Sequence, residues 1–444
     1  MKEKCSLTQG DFQVVHPNSA GIDVASQMHY VAVPPSRDPQ PVRKFGSFTQ
    51  DLHEIAKWLQ KCKIDTVAME STGIYWIQLF LILEEYGFEV FLVNAKHIKN
   101  VSGRKSDVQD CQWIQQLHSF GLLNASFQPD QYGRELRTYM RQRKNLTESY
   151  AMQVQLMQKA LDQMNIKITN VLSDITGKSG IAIIEAILRG ERHASTLAKL
   201  ADPRVKASHA DIIKSLQGIW RQEHLFELRQ AYELYQIFIQ KIKECETEIE
   251  RLLKTHQNFT PDDNSDFKGN SKGNHKFDFN ASDYLKQILG VDITKIYGIS
   301  QLSALQIISE TGIDMTKWPT PKHFVSWLNL APNNRISGGK RLKSKKDRKK
   351  SKAGQAFQLA AFSLMRSNNW LGSTYRRIAS HHGAPVAIKA VARKIAIIFY
   401  QMLKNQIEFN PLSIETYNQL FKERKLKHLK NQASIYGFQL VPIN

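Results

Sequence analysis

The chain has 444 residues, of which 42% are hydrophobic. That is too long for one simple core, so two or three domains are expected. Lys and Arg number 61 against 41 Asp and Glu, a formal charge of +20, which favours a polyanionic partner and makes nucleic acid the default. No apolar run is long enough to span a bilayer, and MKEKCSLTQGDFQ lacks a signal-peptide core. No membrane partner and a cytoplasmic location are therefore expected. Cys5, Cys62, Cys111 and Cys245 are scattered with no CxxC or CxxH pairing, which argues against a disulfide framework or a structural zinc.

Residues 19–33 read as two strands joined by a turn, and VRKFGSF as a third. TQDLHEIAKWLQKC is an amphipathic helix with Thr49 as its N-cap and Leu52, Ile55, Ala56 and Leu59 on the apolar face. DTVAMES is a strand, WIQLFLILEEYG a helix ending at Gly87, FEVFLVN a strand, and KSDVQDCQWIQQL a helix. The order β-β-β-α-β-α-β-α suits a mixed sheet with helices on its faces. Farther on, Leu146, Tyr150, Val154, Met157, Leu161, Met164 and Ile168 keep a three-four spacing. So do Leu225, Leu228, Tyr232, Tyr235, Ile239 and Ile242, then Ile249 and Leu253, with Glu246 breaking the row. These predict two long helices with coiled-coil seams, packed on each other as a hairpin or used as a dimerisation arm. Shorter helices around Pro203 lie between them. The polar stretch 255–283 reads as a flexible linker. A helical region follows over 284–410, then a basic tail over 411–444.

Four carboxylates stand out. Asp23 and Glu70 each end a short apolar run, and Asp107 and Asp110 sit three apart on one helix face. Two acids on strand ends and two on a helix are what a hard divalent cation, Mg²⁺ or Mn²⁺, takes as ligands. Such a site suits phosphodiester chemistry. Taken singly, each acid reads first as a solvated surface residue; the set carries the argument.

These residues carry a resemblance. Gly21-Ile22-Asp23, Glu70-Ser71-Thr72-Gly73 and Lys105-Ser106-Asp107-Val108-Gln109-Asp110 resemble the RuvC-like DEDD domain of the insertion-sequence transposases that also include the Piv DNA invertases. The resemblance implies a ribonuclease-H-like fold over 15–135 with the four acids holding the metal. It also implies a C-terminal transposase domain over 284–410, where IYGISQLSALQIISETG resembles a helix-hairpin-helix element; the seam spacing bounds a coiled-coil helical domain over 136–254.

The second informative segment is FVSWLNLAPNNRISGGKRLKSKKDRKKSKAGQ. Residues 340–352 hold nine Lys or Arg and one Asp. Lys105, Arg335, Lys340, Arg341, Lys343, Lys345, Lys346, Arg348, Lys349, Lys350 and Lys352 are the candidate nucleic-acid-binding residues. Ser337 precedes two glycines, where backbone can approach a phosphate closely, and neighbouring cations could stabilise charge there. A serine hydroxyl needs activation to act as nucleophile. Here too the family is similar: Asn329-Leu330-Ala331-Pro332, Ser337-Gly338 and Ser351-Lys352-Ala353-Gly354 resemble its G-L-x-P, S-G and S-K-x-G. The resemblance implies that Ser337 attacks DNA and forms a phosphoserine link, with Ser351 and Ser344 in reserve. Asn329 replaces the usual Gly, Gln355 follows Gly354 where Asn is common, and Gln358 stands where a basic residue is usual. His381-His382 reads as phosphate contact or solvated surface, with no third metal ligand evident.

The resemblance implies a transposase or DNA recombinase of a bacterial or archaeal, nucleoid-associated element. It would use a structured bridge RNA and act as a dimer or tetramer through the coiled coil, its site composite between acids and serine. The alternatives are a RuvC-like junction nuclease using the acids alone and a non-catalytic nucleic-acid-binding protein.

Overall fold

In the computed structural model the described residues are 13–94, 106–256, 277–332, 335–342 and 351–441. The chain divides into two compact units, residues 1–128 and 129–444.

The first unit is built on a five-stranded sheet in the order β3-β2-β1-β4-β5. Its strands are β1 (Ser19–Val24), β2 (Met28–Ala32), β3 (Val42–Gly46), β4 (Thr66–Glu70) and β5 (Glu89–Val93). β1 runs antiparallel to β2, and β2 to β3, while β1, β4 and β5 are parallel. Parallel neighbours need a crossover, and the helices supply it. Helices α1 (Thr49–Lys61) and α2 (Trp76–Glu85) cover one face, where Ile22, Val31, Ile55, Leu59, Met69, Leu79 and Leu83 form the core. Helix α3 (Asp107–Ser119) covers the other face with Ile114, against Ala68, Val93 and Leu123. This is the mixed, ribonuclease-H-like sheet expected from the strand and helix order. The start of α1 differs from expectation. Thr49 lies inside the helix and Phe48 is the cap, because Asp51 Oδ2 accepts the Phe48 N–H at 2.9 Å.

The second unit is mainly helical. Two 33-residue helices, α4 (Gln131–Gln163) and α8 (Gln222–Lys254), lie side by side. Arg143 meets Glu246, Cys245 Sγ reaches the Tyr139 carbonyl, and Tyr150 packs on Tyr235. From Arg143–Glu246 to Tyr150–Tyr235 the numbers rise on one helix and fall on the other, so the pair is antiparallel, a hairpin packed on itself. The expected seam ran on to Ile168, but α4 ends at Gln163. Asn165 adopts φ +57° and Ile168 lies in a separate 3₁₀ turn. Beyond that turn α5 (Lys178–Leu188), α6 (Ala194–Ala198) and α7 (His209–Ser215) close over the hairpin tip. There Ile183, Ile187, Leu197 and Ile212 join Met157, Leu161 and Leu228 in one core.

Residues 257–276 of the expected linker lie outside the described residues. Its last part is packed: Phe277 and Phe279 are buried, and Ala281 opens a helix. The C-terminal helices are α9 (Ala281–Leu289), α10 (Gln301–Thr311), α11 (Pro321–Trp327), α12 (Lys352–Ser363), α13 (Trp370–His382), α14 (Ala384–Asn405) and α15 (Ile414–Ile435). Phe324, Phe357 and Phe399 are fully buried and mutually packed at their centre. The expected tail is largely α15, an exposed helix tied to α13 by Tyr417–Thr374 and by Arg377 over the Phe421 ring.

Candidate carboxylate centre and serine hairpin

The acids are placed by how closely α3 lies on β1. A Cβ on Gly21 would stand 2.2 Å from the Gln115 nitrogen and 2.4 Å from the Cys111 carbonyl oxygen. Only glycine lets these backbones touch. Gln115 reaches Ser19, at the start of β1, and His118 reaches Thr66, at the start of β4. So α3 runs antiparallel to both strands, and its first turn lies at their C-terminal ends.

Side chains alternate across a strand. Ile22 and Met69, partners in register, face the α1–α2 core, whereas Gly21 and Ala68 face α3. By that alternation Asp23 and Glu70, each one residue beyond Ile22 and Met69, face α3 too. Asp107 and Asp110 occupy the first turn of α3, capped by Ser106, whose Oγ accepts the Gln109 N–H. A helix N-terminus favours carboxylates. Between them, burial and the nearby Asp23 and Asp110 charges push the Cys111 thiol up to about 12. Thr72 Oγ1 donates to Glu70 Oε1 at 2.9 Å.

The four acids therefore gather at one end of the sheet, on one face. Their oxygen-only chemistry fits a hard divalent cation. Their side chains are not drawn into a ligating cage: among the described residues no three His, Cys, Asp or Glu groups are close enough to hold a metal ion.

Ser337 ends a short strand, β6 (Arg335–Ser337), that pairs with β7 (Lys340–Leu342), Ser337 opposite Lys340. The loop is Gly338-Gly339, with φ +55° and +73°. Two positive φ values in a two-residue loop are the type I′ hairpin turn, whose twist matches the strands. The segment forms a hairpin, with Ser337 beside its turn. Lys340 is exposed. Arg335 and Arg341 are placed by backbone only, while Lys105, Lys343, Ser344, Lys345, Lys346, Arg348, Lys349 and Lys350 lie outside the described residues.

Ser351, the reserve nucleophile, is the N-cap of α12, its Oγ accepting the Gly354 N–H at 3.1 Å. Asn329 adopts φ +57°. That left-handed conformation explains why glycine is usual there and why asparagine, which tolerates it, can replace it. Gly298 of the helix-hairpin-helix-like segment is pressed on its own fold: a Cβ there would stand 2.4 Å from the Ala360 carbonyl oxygen. That turn serves packing against α12. His381 and His382 are exposed at the end of α13. The sequence reading passes over Arg137, Arg141 and Lys144. The signal was their i, i+4, i+7 spacing, which puts three cations on one face of α4.

The fold defines the class: a ribonuclease-H-like unit with carboxylates at one sheet end, joined to a long helical remainder. Residues 20–166 match the DEDD transposase model of IS110-type elements, and residues 292–376 match the transposase model of the IS116/IS110/IS902 family. The chain belongs to the IS110 family of transposases. It is an enzyme of insertion-sequence transposition that binds DNA, and its DEDD domain implies use of a divalent metal. Comparison with curated proteins gives no match. No helix among the described residues is long and apolar enough to cross a membrane.

Proposed function

We propose that the protein cleaves and rejoins DNA through a covalent phosphoserine intermediate. Asp23, Glu70, Asp107 and Asp110 would hold Mg²⁺ or Mn²⁺, and Ser337 would be the nucleophile. The observation that supports this most is that strand alternation and the Gly21 contact with α3 put the four acids at one end and on one face of the sheet. A divalent cation held there would supply charge neutralisation for the phosphodiester under attack. Ser337 Oγ would lose its proton and bond to phosphorus, and the departing DNA oxygen would leave as a hydroxyl. The phosphoserine ester conserves the bond energy, so attack by a second DNA hydroxyl restores Ser337 and joins the strands. The Gly338-Gly339 turn supports this role, because two glycines next to Ser337 carry no side chains of their own to crowd a phosphate. Arg335 and Lys340, on the Ser337 face of the hairpin by register, are assigned to the phosphate charge, and Arg341, on the other face, to the nucleic-acid backbone with the remaining cations of 343–352 and Lys105.

The charge of +20 accommodates a second polyanion, and we assign it to a structured bridge RNA that selects donor and target DNA. The long hairpin is assigned to assembly of a dimer or tetramer. An RNA-free preparation retaining full sequence choice would contradict the first assignment. Strand exchange surviving truncation of the hairpin would contradict the second.

The deciding experiment incubates protein, co-expressed RNA, Mg²⁺ and labelled element-end DNA, then denatures. The expected product is DNA covalently attached to protein, lost in Ser337→Ala and in Asp23→Ala. Cleavage without an adduct would replace this reading with a nuclease that uses the carboxylates alone.

A further inference from the structure

The face of α4 bearing Arg137, Arg141 and Lys144 meets the last turn of α10. Glu310 there takes Arg141 as a fork, Nε to Oε1 at 3.0 Å and Nη2 to Oε2 at 2.9 Å. Arg137 Nε lies 3.4 Å from Oε2 of the same carboxylate. Arg137 also donates to the carbonyls of Ser309 and Glu310 at 3.2 and 3.0 Å, which a helix end leaves without intrahelical partners. The Glu310 side chain is 14% exposed, so its one negative charge is already shared between two guanidinium groups.

Lys352, the first residue of α12, joins the same cluster. Burial, then Arg141, then Lys144 and Arg137 lower its pKa, with Glu310 alone opposing them. Ser351 caps α12 beside it, so the positive end of that helix adds to the field. The only ion pair of Lys144 among the described residues is with Glu148, at 3.6 Å on an exposed helix face, a pairing of little energy. Arg137 and Arg141 bond to the half-buried Glu310 carboxylate, and Lys144, Lys352 and a helix N-terminus add positive charge beside them. An ion-pair network kept for stability balances its charge. This one carries an excess, which an outside anion would neutralise. The Arg141 and Lys144 side chains are 44% and 50% exposed, so an anion can reach them.

We propose that Arg141, Lys144 and Lys352 form a seat for backbone phosphates of a nucleic acid, with Glu310 and Arg137 fixing the geometry. Glu310 holds the Arg141 guanidinium by two of its donors, leaving the others for phosphate oxygens. Arg137, tied to carbonyls, locks α4 to α10 and keeps the three cations at fixed spacing. The seat takes its ligand class from the nucleic-acid reading above but depends on neither Ser337 nor the four acids.

The test measures binding of the full-length protein to a labelled RNA hairpin and to a labelled DNA duplex, without divalent metal, over a range of KCl concentrations. Lys144→Gln and Lys352→Gln should each weaken binding and flatten the plot of log K against log salt, by about 0.7–0.9 for each phosphate no longer neutralised. Combining them should flatten it further. Neither lysine bonds to Glu310 among the described residues, so the thermal midpoint should stay near that of the parent. Arg141→Lys should retain most of the slope while losing affinity, because charge remains and the fork does not. Weaker binding to RNA alone, to DNA alone or to both supports the seat and identifies which polymer it holds. Unchanged affinity and slope on both polymers overturn it. Lys352 is shared with the basic stretch assigned above, so Lys144→Gln decides the seat, and a Lys345→Gln/Lys346→Gln variant separates the two readings. If it weakens binding while the Lys144 and Lys352 variants do not, the seat fails and the nucleic-acid function stands. If the parent protein binds neither polymer, both fall.

Discussion

Arg143 and Glu246 face each other across the long hairpin at 2.6 Å, their side chains 5% and 6% exposed. The glutamate that interrupts the apolar seam of α8 is therefore answered by an arginine on α4. The Phe277 ring lies 4.5 Å from the guanidinium carbon, closing the pair off from water. Burial pushes the Glu246 carboxyl up despite Arg143, so desolvation outweighs the attraction. Arg143→Met should then cost about 3–5 kcal/mol by stranding a buried carboxylate, whereas Arg143→Met with Glu246→Leu should be neutral or more stable. Denaturant unfolding of the three proteins checks this, and a double variant as weak as the single would refute it.

Gly21→Ala tests how the acids are placed. The added methyl meets backbone of α3, not a movable side chain. Overpacking of this kind costs about 1–3 kcal/mol, and relief requires α3 to lift from β1. The variant should fold with a lowered midpoint and lose metal-dependent cleavage, although it alters no carboxylate. Cleavage at the parent rate would mean that the acids do not depend on this contact.

The sheet unit should weaken in acid through His118. It is fully buried, its Nε2 lies 2.9 Å from Thr66 Oγ1, and its ring stacks on His16 at 4.8 Å. Burial, then the His16 charge, lowers its pKa to about 4. The unfolded chain takes up this proton near the ordinary value of 6.5, so it binds more protons than the folded chain between those values. Stability from this group is present above about pH 6.5 and is lost as pH falls toward 4, by a few kcal/mol in all. A His118→Gln variant should show a flatter pH profile of urea unfolding over that interval. Equal slopes would show that His118 is not the source.

The Gly338-Gly339 turn can be separated from the serine it flanks. Gly338→Asn should preserve the hairpin, because asparagine tolerates positive φ in type I′ turns. Gly338→Val should strain the backbone by about 1–2 kcal/mol and lower the yield of covalent adduct with Ser337 intact. Equal yields from both variants would dissociate the turn from the reaction.

Much of the first unit was legible because its signals are local. Short apolar runs gave the strands, glycines the turns, and Asp23, Glu70, Asp107 and Asp110 stood at element ends. What escaped depends on partners distant in sequence. Nothing near Glu246 announces Arg143, and Glu310 and Lys352 meet α4 only after folding. Gly21 read as part of a motif, yet its requirement comes from Cys111 and Gln115. Asn329 looked like a departure from pattern until its φ of +57° showed that asparagine and glycine meet the same demand. Phe277 and Phe279, two aromatics in a polar stretch, were the overlooked sign that packing resumes there.

The hairpin of α4 and α8 has one more consequence. At 1.5 Å per residue, 33 residues make a rod of about 50 Å. Its root is riveted to α10 through Arg137 and to α9 through Glu250 and Tyr284, and its tip carries the separate core of α5, α6 and α7. Such a rod is as long as roughly fifteen base pairs of duplex at about 3.4 Å each, and its length is set by the number of helical residues. Removing a matched heptad from both helices would keep the seam in register and shorten that length by about 10 Å. The distance from the root of the hairpin to its tip core would then become an adjustable property of this chain.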